Sequence, residues 1–526
     1  MDTTIASPPD AFTPTLLSHL LRSADPEAPV LLCADKAWTS SELRTAVDQF
    51  ATGLLSLGIG KGDRVAVAAP NSAQWLITWF ATARIGAILV TLNVAYRDQE
   101  FDYMLNQSSA RMLICCAENG GFDFVHFLNG LRPRLKTVQH YVFLGGEGFP
   151  GSMRWNDLTS SIDVDALRDH ESQVRSDDPA VLLYTSGTTG QPKGATLTHR
   201  SILGSALAQA DHLRLGANNV AIGHMPLNHV GGMTCTVAAT MVAGGRVVLL
   251  PRFDPTQALD AIRRHGVTTY IGVPTMYTML MDHPDFSPEA VTSIRTCIIG
   301  GSNMEPALGR RILANFAGAR MANLYGLSET SGGCIISAID DDLDTLVDTL
   351  GVPIGGFEIS ITDANHKPLP VGSEGQLRVR GQCVAAGYWQ KPQETSQAFL
   401  PDNWLDTGDM AVLRPDGRIA LRGRLKEMYV RSGYNVYPVE VENVLARHPE
   451  VAMSAVVGMP DPFYGEVGYA YVVPSPGHII DTDDLLAKCA KQLAKYKLPA
   501  KILVVDSLPL TPSGKIKKVE LRDREV

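Results

Sequence analysis

From Tyr184 to Gly194 the chain reads Tyr-Thr-Ser-Gly-Thr-Thr-Gly-Gln-Pro-Lys-Gly, straight after the apolar run Val181, Leu182, Leu183. The order of types describes a strand that runs into a phosphate cradle. Gly187 and Gly190 let successive backbone N–H groups turn toward an anion. Thr185, Ser186, Thr188 and Thr189 add hydroxyl donors, and Lys193 adds a full positive charge. A triphosphate is the natural ligand. The Walker pattern is excluded, because no Gly-Lys-Ser/Thr follows the four-residue spacer that pattern demands.

Such a cradle needs a sheet behind it. Thr39 to Gly58 is the clearest helix, with Leu43, Val47, Phe50, Leu54 and Leu57 on one face, a Thr39/Glu42 capping box at its start and Gly58 at its end. A strand over Arg64 to Ala69, a helix over Ala73 to Gly86 and a strand over Ala87 to Leu92 follow. That alternation predicts βαβ units on a parallel sheet, where ligands collect at strand ends. Short apolar runs at 220–225, 246–250, 268–273, 293–299 and 321–325 extend it. From about Glu358 to Arg422 short alternating strands predict an antiparallel subdomain. The last hundred or so residues, with a helix predicted over Thr482 to Lys495, form a small separate unit.

The chain has 526 residues, more than one core usually serves, and 45% of them are hydrophobic. A net charge of −9, with no basic run in the first four fifths, argues against nucleic acid as the main partner. The eight cysteines show neither CxxC nor Cys/His spacing, which points to core thiols and a reducing, cytoplasmic setting. Met1 to Asp10 lacks the order of a signal peptide, and Arg84 interrupts the longest apolar stretch, so no transmembrane segment is expected.

Four further segments stand in fixed order with the cradle: Tyr325-Gly-Leu-Ser-Glu-Thr330, Thr407-Gly-Asp409, Gly423-Arg-Leu-Lys-Glu427 leading to Tyr434-Asn-Val-Tyr-Pro438, and Pro509-Leu-Thr-Pro-Ser-Gly-Lys515. This set resembles the adenylate-forming superfamily of acyl-CoA synthetases, coumarate-CoA ligases, firefly luciferase and peptide-synthetase adenylation domains, from about residue 30 to the end. The resemblance implies an α/β fold: a large N-terminal domain (1–425) of mixed sheets flanked by helices, with a small β subdomain, and a small mobile α+β domain (426–526).

It also implies ATP, Mg2+ and coenzyme A, and assigns roles. Glu329 holds the metal, with Ser328 and Thr330 near the phosphates; Ser328 stands where most members carry Thr. Tyr325, followed by Gly326, stacks on adenine. Asp409 accepts from the ribose hydroxyls, with Arg424 close by. Lys515 is the catalytic lysine and Lys426 the hinge about which the small domain turns, bringing the loop at Ser432 and Gly433 to a pantetheine channel. Lys193 joins Lys515 and Glu329 among the catalytic groups, while Lys517 and Lys518 read as solubilising neighbours.

On the acid side, His229 and Val230 in Pro226-Leu-Asn-His-Val-Gly-Gly232 border the pocket, although Asn228 replaces the usual aromatic residue. Gly300, Gly301 and Ser302 form the turn between acid and adenine sites, and Ile299 and Met304 join Val230 as candidate pocket lining. The absence of an aspartate for a substrate amine argues against an amino acid. The expectation is an acid:CoA ligase that activates an apolar fatty or aryl acid through acyl-AMP. Loading of an acyl carrier protein, a luciferase-type monooxygenase and a catalytically silent nucleotide-binding protein stay open as alternatives; a homodimer is a family-level expectation.

Overall fold

The computed structural model describes residues 15–22, 25–33, 36–185, 191–301, 304–475, 477–510 and 516–523. Two large sheets dominate the chain as far as Pro353. The first runs Lys193–Thr198, Pro179–Thr185, Ile88–Thr91, Arg64–Ala68, Met112–Cys116, His140–Leu144, Met153–Arg154, parallel except for the Pro179–Thr185/Lys193–Thr198 hairpin. The second has a parallel centre (Arg320–Leu327, Thr296–Gly300, Thr269–Gly272, Val220–Gly223, Arg246–Leu249, Pro29–Cys33) and antiparallel strands at both edges.

The first helix runs Ser40–Ser56, and its capping box is formed: Glu42 N–H donates to Thr39 Oγ1 at 3.1 Å and Thr39 N–H to the Glu42 carboxylate at 2.9 Å. The next, Ala73–Ile85, ends on Gly86 in the left-handed region and buries every residue except Gln74 and Arg84. A helix apolar all round belongs inside, and one core cluster accordingly draws on strands of both large sheets. Arg84, the residue that broke the apolar run, pairs with Asp48 at 2.9 Å and Glu171 at 3.1 Å. No helix among the described residues is long and apolar enough to cross a membrane.

Residues 358–424 form a four-stranded antiparallel sheet, Glu358–Thr362, Glu374–Arg380, Trp404–Leu413 and Ile419–Arg424. Among the described residues, strands from Tyr429 onward pair only among themselves, in a five-stranded sheet. The hydrophobic clusters of described residues from Tyr429 onward share no member with those up to Leu421. The helix expected to reach Lys495 stops at Ala490, and a 3-10 turn covers Lys495–Lys497. Leu493, Tyr496 and Leu498, beyond the end of the helix, still pack against the same core as Leu485 and Cys489.

Candidate functional site

The cradle is a hairpin: Thr185 at the end of one strand pairs with Lys193 at the start of the next. Ser186, Gly187, Thr188, Thr189 and Gly190 between them lie outside the described residues, as do Ser302 and Lys515. Along the free edge of Lys193–Thr198 runs the segment Ala385 to Trp389. Thr196 N–H donates to Gly387 O at 2.9 Å, Ala386 N–H to Thr196 O at 2.9 Å, and Trp389 N–H to Gly194 O at 2.8 Å. This brings the Tyr388 ring to 5.0 Å from Lys193 Nζ. The Tyr388 hydroxyl donates to Glu329 Oε1 at 2.7 Å, and Ala385 N–H to Glu329 O at 2.8 Å.

Glu329 sits in a tight turn, Ser328–Thr330, after the strand Arg320–Leu327. Thr330 is fully buried: Leu327 N–H donates to its Oγ1 at 2.8 Å and its hydroxyl donates to Gly332 O at 2.7 Å. That hydroxyl is engaged within the turn. Gly326 is needed for close approach, since a Cβ there would lie 2.1 Å from Gly332 O.

Tyr325 donates from its hydroxyl to Asp409 Oδ2 at 2.5 Å. Asp409 and Arg424 are cross-strand partners on Trp404–Leu413 and Ile419–Arg424, with Arg424 Nε 3.3 Å from Asp409 Oδ1. Both carboxylate oxygens are thus engaged, on a side chain only 3% exposed, and the tyrosine ring is fixed. Burial, then the Asp409 charge, pushes the Tyr325 phenol well above its usual pKa, so it remains a donor. Lys426 follows two residues after Arg424. Burial, then Arg424 and Lys193, hold its ammonium below the usual range, against the opposing pull of Glu329 and Asp409.

Gly300 and Gly301 close the strand Thr296–Gly300 beside the Tyr325 strand, Gly300 in register with Leu324 and Gly301 at φ +81°. His229 caps the short helix Val230–Gly232, its Nδ1 accepting from Gly231 N–H at 3.2 Å, and Val230 is buried. Asn71 pins the preceding loop: Nδ2 donates to Met225 O at 3.0 Å and Oδ1 accepts from Leu227 N–H at 2.9 Å. Val230 packs in one core cluster, and Ile299 and Met304 pack in another.

Lys193, Tyr325, Glu329, Asp409, Arg424 and Lys426 are therefore gathered, and Gly433 is not. It occupies an exposed hairpin turn with Ser432, both at positive φ, and a Cβ there would meet nothing within 4 Å. Sequence reasoning missed Tyr388 and Asn71, and it misread Lys518, which lies between Glu427 at 2.9 Å and Glu442 at 2.8 Å.

A model of the AMP-binding enzyme family matches residues 22–389, and one of the AMP-binding enzyme C-terminal domain matches residues 440–515. The chain is an AMP-binding enzyme. It belongs to the adenylate-forming superfamily, on its acyl-CoA ligase branch, and is an AMP-forming acid–thiol ligase. Among similar AMP-binding enzymes, a feruloyl-CoA synthase of Amycolatopsis sp is 35% identical, over 95% of this chain and 96% of the relative. The mitochondrial medium-chain acyl-CoA ligase ACSF2 of Mus musculus is 32% identical, over 96% and 85%. The crystal structure of the anthranilate CoA ligase AuaEII in complex with anthranoyl-AMP superposes with a TM-score of 0.87 at 26% identity, covering 97% of each chain.

The donor set also tests the metal the family implies. No group of three or more His, Cys, Asp or Glu side chains able to hold a metal exists among the described residues. Glu329 offers carboxylate oxygens at the Tyr388 side chain that Lys193 also meets, which fits Mg2+ carried on a triphosphate and touched by one carboxylate.

Proposed function

We propose that this enzyme activates an apolar carboxylic acid, fatty or aryl, as its acyl-AMP and passes the acyl group to the thiol of CoA. The observation that carries the reading is the crowding of Lys193, Arg424 and Lys426 around Glu329 and Asp409, with Lys426 held below its usual pKa by burial and by its two cationic neighbours. A polyanion relieves that repulsion.

The hairpin residues 185–190, with Lys193, hold the triphosphate. Asp409 accepts from the ribose hydroxyls, a carboxylate offering two acceptor oxygens to a vicinal diol. Tyr325, anchored by its hydroxyl, offers its ring face to adenine, and Gly301 with Ser302 leaves room between the nucleotide and the acid held near His229, Val230 and Gly300. In the first step a carboxylate oxygen of the acid bonds to the α-phosphorus while the bond to the bridging oxygen breaks and pyrophosphate leaves. Lys515 delivers an ammonium to the charge gathering on the phosphate oxygens, and Lys193 holds the leaving group. Bound Mg2+, touched by Glu329, supplies further neutralisation there.

In the second step the CoA thiolate attacks the acyl carbon and AMP departs. Residues 426–526 act as the moving part, with Lys426 as hinge and the Ser432/Gly433 turn brought to the thiol arm. The test is pyrophosphate release across short, medium, long and aromatic acids, with and without CoA. Acid-dependent AMP and a CoA ester are expected. A thioester formed only on a phosphopantetheinyl carrier, or tight ATP binding with no pyrophosphate, overturns the reading.

A further inference from the structure

Tyr388 stands at both charged groups of the phosphate end, its hydroxyl on Glu329 Oε1 at 2.7 Å and its ring 5.0 Å from Lys193 Nζ. Its placement is not accidental packing. The backbone on either side is hydrogen-bonded to the strand that begins at Lys193, its own N–H donates to Thr395 Oγ1 at 2.9 Å, and its ring meets Phe399 edge to face at 5.3 Å. Gly387 enforces the approach, since a Cβ there would lie 2.7 Å from Thr395 Cγ2. The same segment also takes hold of the Glu329 carbonyl through Ala385 N–H at 2.8 Å.

Lys193 and Glu329 carry opposite charges and both meet the Tyr388 side chain, yet no salt bridge joins them among the described residues. A direct pair would neutralise the two groups a metal–triphosphate needs. The phenol offers each a different partner: a hydroxyl proton for the carboxylate and a π face for the ammonium.

We propose that Tyr388 is a positioning residue for metal–triphosphate binding, one that keeps Glu329 and Lys193 apart and aims the carboxylate. The proposal rests on the reading of Glu329 as the residue that touches the metal. The hydroxyl occupies one lone pair of Oε1 and leaves the rest of the carboxylate to a cation, as hydrogen-bonded partners of metal-binding carboxylates do.

The experiment is equilibrium binding of MgATP, and of ATP in EDTA, to the full chain and to Tyr388→Phe, Glu329→Gln and the double variant, with melting temperatures as fold controls. Tyr388→Phe keeps the ring and removes only the hydroxyl. It is expected to weaken MgATP about tenfold, leave metal-free ATP unchanged, and raise the Mg2+ concentration needed for pyrophosphate release while preserving kcat at saturating Mg2+. In the Glu329→Gln background the same change adds nothing. Wild-type MgATP affinity in Tyr388→Phe, with Glu329→Gln impaired, overturns the proposal alone; additive losses in the double variant do so too. An unimpaired Glu329→Gln overturns the reading of Glu329 on which it stands.

Discussion

The nucleotide cluster and the seam joining it to the last hundred residues are built on different principles. In the cluster, positions follow from strand register: Asp409 opposite Arg424, Thr185 opposite Lys193, Tyr388 laced to the strand behind Lys193. At the seam no hydrophobic cluster crosses among the described residues. The helix Pro438–Leu445 rests near the strand Ile419–Arg424, Arg447 reaches Asp348 at 3.7 Å between two half-exposed side chains, and Glu305 faces the charge of Glu442. Backbone ladders hold a binding geometry; exposed ion pairs contribute little and release easily. Chemistry that must be repeated in place sits on the ladders, and the part proposed to swing is fastened loosely.

The sharpest way to break this contrast is Lys515→Ala. A lysine delivered by the moving part serves only the first step, so acid-dependent pyrophosphate release is expected to fall roughly 100- to 1000-fold, while transfer from supplied acyl-AMP to CoA stays within a few fold. Equal loss in both half-reactions, measured by rapid quench, contradicts it. Asp409→Asn tests the fixed side. It weakens the Arg424 contact and leaves a neutral acceptor for Tyr325, which is expected to cost about 2–3 kcal/mol, on the order of 30- to 100-fold in ATP affinity, with the acid KM nearly unchanged.

At the seam the expected effects are smaller and depend on pH. Burial, and then the Glu442 charge, pushes the Glu305 carboxyl up to about 7 from an ordinary 4.5. The folded state therefore holds that proton more tightly than the unfolded chain. Its contribution is full below about pH 4.5 and is lost as pH rises through 7, by an order of 1–3 kcal/mol. In urea unfolding, Glu305→Gln is expected to match the wild type near pH 4.5 and to exceed it increasingly toward pH 8; a constant difference contradicts the assignment. Arg447→Ala is expected to change stability by less than about 1 kcal/mol, and a larger loss means the seam is firmer than its geometry.

Much of the cluster was legible because it lies in contiguous runs whose residue types carry their chemistry: the cradle, Tyr325 to Thr330, Thr407 to Asp409. The capping box at Thr39 was legible because its two partners are three residues apart. Tyr388 was not, because its partner Glu329 is 59 residues away and its strand pairing reaches back to Gly194; nothing local marks it. Lys518 was misread for the same reason, since its two carboxylates come from Glu427 and Glu442. The predicted Thr482 helix overran because the apolar spacing continues through Leu493 and Tyr496, which pack on the same core although the helix ends at Ala490.

Activation before transfer is the claim on which the rest depends, and isotope exchange between pyrophosphate and ATP measures it directly. With a suitable acid and no CoA, label is expected to pass from pyrophosphate into ATP, and omission of the acid abolishes it. Exchange that requires CoA, or ADP as the nucleotide product, contradicts the account.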